Sequence, residues 1–178
     1  MMNNQAIEHE RLWEVKTGDE PIYSTPVFAV YSNGKRVVIY QSWDWYIYVP
    51  EVETGETNSR ATVFDYEPRK KAVVFGGLAG FVYCLDGQAN TMWRTYLAEN
   101  MRGSTTIQDI NLGGEYEILV PDMMGTLKIL NKQGKEIGQI NMKGGIEGTP
   151  LVGDLDGDGK VEVFLTSLDG YVSMFRFL

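Results

Sequence analysis

Residues Ser104–Leu130, STTIQDINLGGEYEILVPDMMGTLKIL, lie without a gap on Thr149–Phe175, TPLVGDLDGDGKVEVFLTSLDGYVSMF, at an offset of 45 positions. Asp109 meets Asp154, Glu117 meets Glu162 and Gly125 meets Gly170. One further step of 45 back from Gly125 reaches Gly80, inside GGLAGFVYCLDG, which matches TSLDGYVSMFRF in pattern. A fourth copy is SWDWYIYVPE, Ser42–Glu51, which lies on SLDGYVSMFR, with STPVFAV from Ser24 lying on GTPLVGD from Gly148. The step from Trp45 to Gly80 is 35, so the first copy is shorter by about ten residues. Repetition at such a period is the mark of stacked units, each of which buries its apolar face against the next.

Within a copy the signal is that of strands. TPLVGD, a polar turn, VEVFLTS, a turn at Asp169-Gly170 and YVSMFRF carry the β-branched and aromatic bias, and the Gly and Asp punctuation, of short antiparallel strands. Asp169-Gly170 is expected to be the central pair of a two-residue hairpin, with positive φ at both positions. A fourth strand carries tryptophan in LWEV around Trp13 and in MWRTYL around Trp93, and is degenerate in EIGQI around Ile137. The unit is thus a four-stranded antiparallel sheet of about 45 residues, the size of a propeller blade.

Composition narrows the classes. Sixteen Lys and Arg against 24 Asp and Glu give a formal charge of −8, which speaks against a partner made of nucleic acid, whose binding draws on basic residues displacing counterions. With 43% apolar and 12% aromatic residues the chain has the material for a core. The single cysteine, Cys84, excludes an intrachain disulfide framework and any multi-cysteine zinc site. The longest apolar run, Ala72–Leu85, is too short for a membrane-spanning helix, and its glycines Gly76, Gly77 and Gly80 mark a turn between two buried strands, so no membrane partner is expected. The first residues, MMNNQAIEHERLW, lack a signal-peptide core, so the chain as given is expected to stay in the cytoplasm unless it is cut from a longer precursor.

The pattern TP-apolar-x-D-x-D-G-D-G, an apolar strand, S-x-D-G-x-V and a tryptophan-bearing strand resembles the blades of quinoprotein-dehydrogenase-like propellers merged with FG-GAP or VCBS-type calcium repeats. It covers Leu12–Leu178. The implied fold is an all-β propeller of four four-stranded blades, roughly 24–60, 61–102, 103–143 and 144–178, preceded by a polar leader over 1–11. The last blade lacks its fourth strand, and residues 12–16 are expected to complete it. Closure within one chain gives a four-bladed ring; closure between two copies, which we favour, gives an eight-bladed homodimer. The competing reading is a fragment of a longer propeller. The resemblance is specific for fold and poor for function, since such blades serve enzymes and binding proteins alike.

The strongest chemical motif is DLDGDGKVE, Asp154–Glu162. Alternating hard oxygen donors with a glycine for the sharp turn suit Ca²⁺. Asp154, Asp156 and Asp158 offer carboxylates, Lys160 its backbone carbonyl, and Glu162 closes a loop that resembles the nine-residue FG-GAP calcium loop. One structural calcium per chain is expected. The alternative is a solvated acidic hairpin. The counterpart DINLGGEYE keeps Asp109, Asn111 and Glu117 but has Gly113 in place of the third carboxylate, while DYEPRKKAV and VYSNGKRVV have lost the donor set.

Where three copies have glycine at the hairpin, the first has Trp45. Trp43 and Trp45 can share one strand face and Tyr46 and Tyr48 the other, beside the shortened loop of 53–60, so these four are candidate contacts for a protein or glycan. The alternative is packing between blades or subunits; for Trp13 and Trp93, recurring at equivalent positions, packing is the expectation. Catalysis finds little footing: His9, the only histidine, sits in the polar leader, and Cys84 alternates within FVYCL as a small buried residue. The resulting expectation is a noncatalytic binding or scaffold propeller. The alternatives are a quinoprotein-type or polysaccharide-acting enzyme, or a purely structural self-assembling ring.

Overall fold

The structure, a computed structural model, describes residues 61–77, 80–88, 90–97 and 100–177, and before residue 61 the backbone of four short strands. Every described element is a strand. Sheet one contains β1 (Val27–Val30), β2 (Arg36–Gln41), β3 (Ile47–Val49) and β4 (Val52–Thr54). Sheet two contains β5 (Thr62–Glu67), β6 (Lys70–Gly76), β7 (Phe81–Asp86) and β8 (Thr91–Tyr96). Sheet three contains β9 (Thr106–Gln108), β10 (Glu117–Pro121), β11 (Thr126–Leu130) and β12 (Glu136–Asn141). Among the described residues sheet four has three strands, β13 (Leu151–Gly153), β14 (Glu162–Thr166) and β15 (Val172–Arg176). All are antiparallel meanders, and the repeat is kept in the register: Leu119 pairs Ile129 as Phe164 pairs Met174. Residues 12–16, expected to complete sheet four, lie outside the described residues.

The first strands of successive sheets neighbour one another, β1 beside β5, β5 beside β9 and β9 beside β13. Hydroxyls stitch this inner row together: Thr62 Oγ1 donates to the carbonyl of Thr105 at 2.7 Å, and Thr106 Oγ1 to that of Pro150 at 2.8 Å. On the outer side the β11–β12 turn seats on β8, where Trp93 Nε1 donates to the Lys132 carbonyl and Thr95 Oγ1 to that of Gly134. Trp93 is half-buried and packs on the core, as its recurrence suggested.

Burial follows from this stacking. The middle strand β10, EILVP, is buried at all five positions because a neighbouring sheet covers each face, whereas the outer strands β8 and β12 alternate. Between sheets two and three, Val74, Val82 and Cys84 meet Ile118 and Val120. Between sheets three and four, Leu119, Leu127 and Ile129 meet Val163 and Leu165.

The Asp169-Gly170 hairpin differs from expectation. Ser167 N–H donates to the Tyr171 carbonyl and Gly170 N–H to that of Ser167, which encloses three loop residues, and of the pair only Gly170 has positive φ, at 85°. This is a turn followed by one left-handed residue, and it recurs with Gly80 and Gly125. One glycine per loop suffices, so the residue before it is free to vary, as Ala79, Met124 and Asp169 do.

Candidate functional site

The loop between β13 and β14 folds by satisfying its own amides. Asp154 Oδ1 accepts the Gly157 N–H at 2.7 Å and its Oδ2 the Gly159 N–H at 2.9 Å; Asp158 Oδ1 accepts the Lys160 N–H at 2.9 Å. Glu162, 1% exposed, anchors the loop from below, its Oε2 accepting the Leu155 N–H at 2.9 Å. Carboxylate oxygens of Asp154, Asp156 and Glu162 come within 4.8 Å of one another, the convergence that a divalent cation needs.

Arg176, which the sequence reading did not single out, already occupies that convergence. It sits opposite Glu162 in the β14–β15 register. Its Nε donates to Glu162 Oε1 at 2.7 Å, one terminal nitrogen pairs with Asp156, and Nη1 lies 3.3 Å from Asp158 Oδ2. The hydrogen bond to Glu162, with the charges of Asp156 and Asp158, holds the guanidinium above its ordinary basicity. The counterpart in sheet three shows the same frame: Glu117, also buried, accepts the Ile110 N–H at 2.9 Å and the Asn111 side-chain amide at 2.7 Å. A neutral amide there and a guanidinium here each engage the buried glutamate. Arg176 engages one oxygen each of Asp156, Asp158 and Glu162, so a cation entering this loop would meet its guanidinium.

At the opposite end of the strands lie the hairpin tips. Met124 is 76%, Leu168 60% and Tyr171 58% exposed, with Lys143 Nζ 5.8 Å from the Tyr171 ring centre. The backbone that carries these open apolar groups is pinned by hydrogen bonds. Met142 N–H donates to the Gly125 carbonyl, Ile146 N–H to that of Asp122 and Leu168 N–H to that of Gly145, so both tips are tied to the connection between sheets three and four. Buried Asp122 accepts the Met124 and Thr126 N–H groups through Oδ1. Trp43, Trp45 and Tyr46 lie outside the described residues, as does the Tyr48 side chain, although the backbone of Tyr48 in β3 pairs with Tyr40 in β2.

No protein-family model and no curated protein matches the chain. Solved structures do. Over 85% of this chain and 54% of theirs, the match to BBS1N in complex with ARL6DN has a TM-score of 0.65 at 13% identity. The computationally designed Ika4 protein matches over 96% of this chain and 100% of its own, with a TM-score of 0.66 at 14% identity. A europium-containing methanol dehydrogenase matches over 80% of this chain and 38% of its own, with a TM-score of 0.59 at 13% identity. These neighbours are propeller-like.

The fold is a β-propeller. Its sheets are blades, and the chain spans about half the BBS1N chain it matches. The acidic loop lies at one end of the propeller strands and the apolar tips at the other. Cys84 lies inside blade two, fully buried, and burial with the charge of Asp86 pushes its thiol up to about 12, so it is protonated and shielded.

Proposed function

We propose that this chain is a noncatalytic propeller module that presents a rigid ring face to a protein partner. The observation that carries the reading is the set of exposed apolar residues, Met124, Leu168 and Tyr171, on hairpin tips fixed by backbone hydrogen bonds. Exposed apolar groups on a pinned backbone spare an association the cost of ordering the loop. The structure of BBS1N with ARL6DN supports it by analogy, as a propeller in a protein complex. Trp43, Trp45, Tyr46 and Tyr48 extend the face in this proposal, and Tyr171 with the tryptophans would equally stack on a glycan. The methanol dehydrogenase keeps an enzyme as the alternative. Against it stand the occupied carboxylates of the acidic loop and the shielded Cys84.

A photo-crosslinking residue at position 124 or 168 is expected to capture a discrete protein from an extract of the producing cells, and one at position 158 to capture none. Met124→Glu should lower capture by the residue at 168 about tenfold or more. Equal capture from position 158, or turnover of a substrate by the purified chain, would contradict the reading.

The calcium expectation becomes a competition. We propose that Ca²⁺ loads Asp154, Asp156, Asp158, the Lys160 carbonyl and Glu162 only when Arg176 withdraws. Calorimetric titration should then find Arg176→Ala binding calcium about tenfold or more tightly than the wild type, since the variant site gains one unit of negative charge. Equal affinity would show that Arg176 does not compete. The partner we propose for closing the ring, into eight blades, is a second copy of the chain.

A further inference from the structure

The positions that seal one blade to the next are bare in blade four. Val74, Val82 and Cys84 in blade two, and Leu119, Leu127 and Ile129 in blade three, are buried, none more than 7% exposed. One repeat later the same positions are Phe164, Val172 and Met174, exposed by 37%, 58% and 54%, and Leu151, paired with Phe164, is 56% exposed. The difference is visible along the middle strands: β10 is buried throughout, and β14 alternates buried and exposed from Val163 to Thr166. Blade four's other face, Val163 and Leu165, is fully engaged with blade three.

The internal contacts define what fits the bare face. In each, a face of the type Leu119–Leu127–Ile129 receives the next blade's middle strand at the positions of Val163 and Leu165. In blade two those positions are Val73 and Phe75, 4% and 2% exposed and therefore taken. In sheet one the repeat puts Val38 and Tyr40, both on β2, at those positions. Among the described residues nothing covers Phe164, Val172 and Met174, which leaves on blade four an open face of the kind that blades two and three give to their neighbours. We infer that the bare face of blade four docks the first blade of a second copy of this chain, and that the reciprocal contact closes one two-fold ring. The contact is isologous as an assembly, each copy giving one end and receiving the other. This rests on the propeller reading and adds the partner and the residues that meet it.

Sedimentation of the purified chain tests it. Wild type is expected at twice the 20.1 kDa chain mass. Val172→Glu and Met174→Glu, both at exposed positions, should sediment as single chains with an unchanged far-ultraviolet spectrum, their self-affinity lowered about a hundredfold or more by a charge buried at each of two contacts. Met124→Glu, at the tip face, should remain double. A single-chain wild type with a strand spectrum and cooperative melting, or a Met174→Glu that stays double, would overturn the inference and leave the propeller standing. A wild type that lacks cooperative strand structure would instead overturn the propeller reading itself.

Discussion

Gly134→Ala is expected to destabilise the chain by about 3–5 kcal/mol, the sum of backbone strain and overpacking. A Cβ at this position would lie 2.4 Å from Trp93 Cε3, 2.6 Å from its Cδ2 and 2.9 Å from Thr95 Oγ1, and the backbone has a φ of 78°. The clash is with a ring that is itself anchored, through Nε1, on the Lys132 carbonyl of the same turn. Relief requires the β11–β12 turn to lift off β8, which breaks the outer seam between blades two and three. Gly170→Ala is the control. Its φ is 85°, but a Cβ there meets nothing within 4 Å, so only the strain remains, about 1–2 kcal/mol. Urea unfolding followed by tryptophan fluorescence compares the two; equal losses would show that Trp93 does not wedge the seam.

The second large effect is at Glu162. Glu162→Leu keeps the volume and removes the buried acceptor, leaving the part-buried Leu155 N–H and Arg176 Nε without their partner. A loss of about 2–4 kcal/mol is expected, at the lower side of values for breaking a buried pair because Arg176 retains Asp156 and Asp158 near solvent. Glu162→Gln, which can still accept the Leu155 N–H, should lose about half as much. The glutamate is the frame of the loop whether or not a cation enters it. If Glu162→Leu unfolds at the wild-type urea concentration, the loop is held by Asp154 alone and the buried acceptor contributes nothing.

The strands were readable because two independent signals coincided: the 45-residue offset fixed equivalent positions, and the β-branched and aromatic bias of VEVFLTS and YVSMFRF fixed the strand type. The hairpin was not, because Asp-Gly is compatible with both loop lengths, and the Ser167–Tyr171 backbone bond that selects three residues is set by the register of β14 and β15. Arg176 escaped notice for a similar reason. The acidic loop was compared with its own copies, whereas its cationic partner lies across the sheet from Glu162, where the other copies have Asn131 and Asp86 capping the next turn. The apolar tips were legible only at Leu168, since Met124 stands where the other copies have Asp44, Ala79 and Asp169. Trp43, Leu78, Met123 and Leu168 occupy one position of the repeat, and all four are apolar. The bare face of blade four had none, since Phe164, Val172 and Met174 are the same kinds of residue as the covered Leu119, Leu127 and Ile129; exposure is decided by what stands opposite.

Amide hydrogen exchange along β15 tests ring completion most directly. Phe177 N–H donates to the Val161 carbonyl, so by alternation the N–H groups of Met174 and Arg176 face away from β14, toward the place a fourth strand takes in blades two and three. If the ring is complete and that strand is supplied, these amides exchange as slowly as their counterparts in β7 and β11, with protection set by global unfolding. Exchange at the rate of a free edge strand, in a protein whose β14 amides stay protected, would contradict ring completion and leave an open arc of blades.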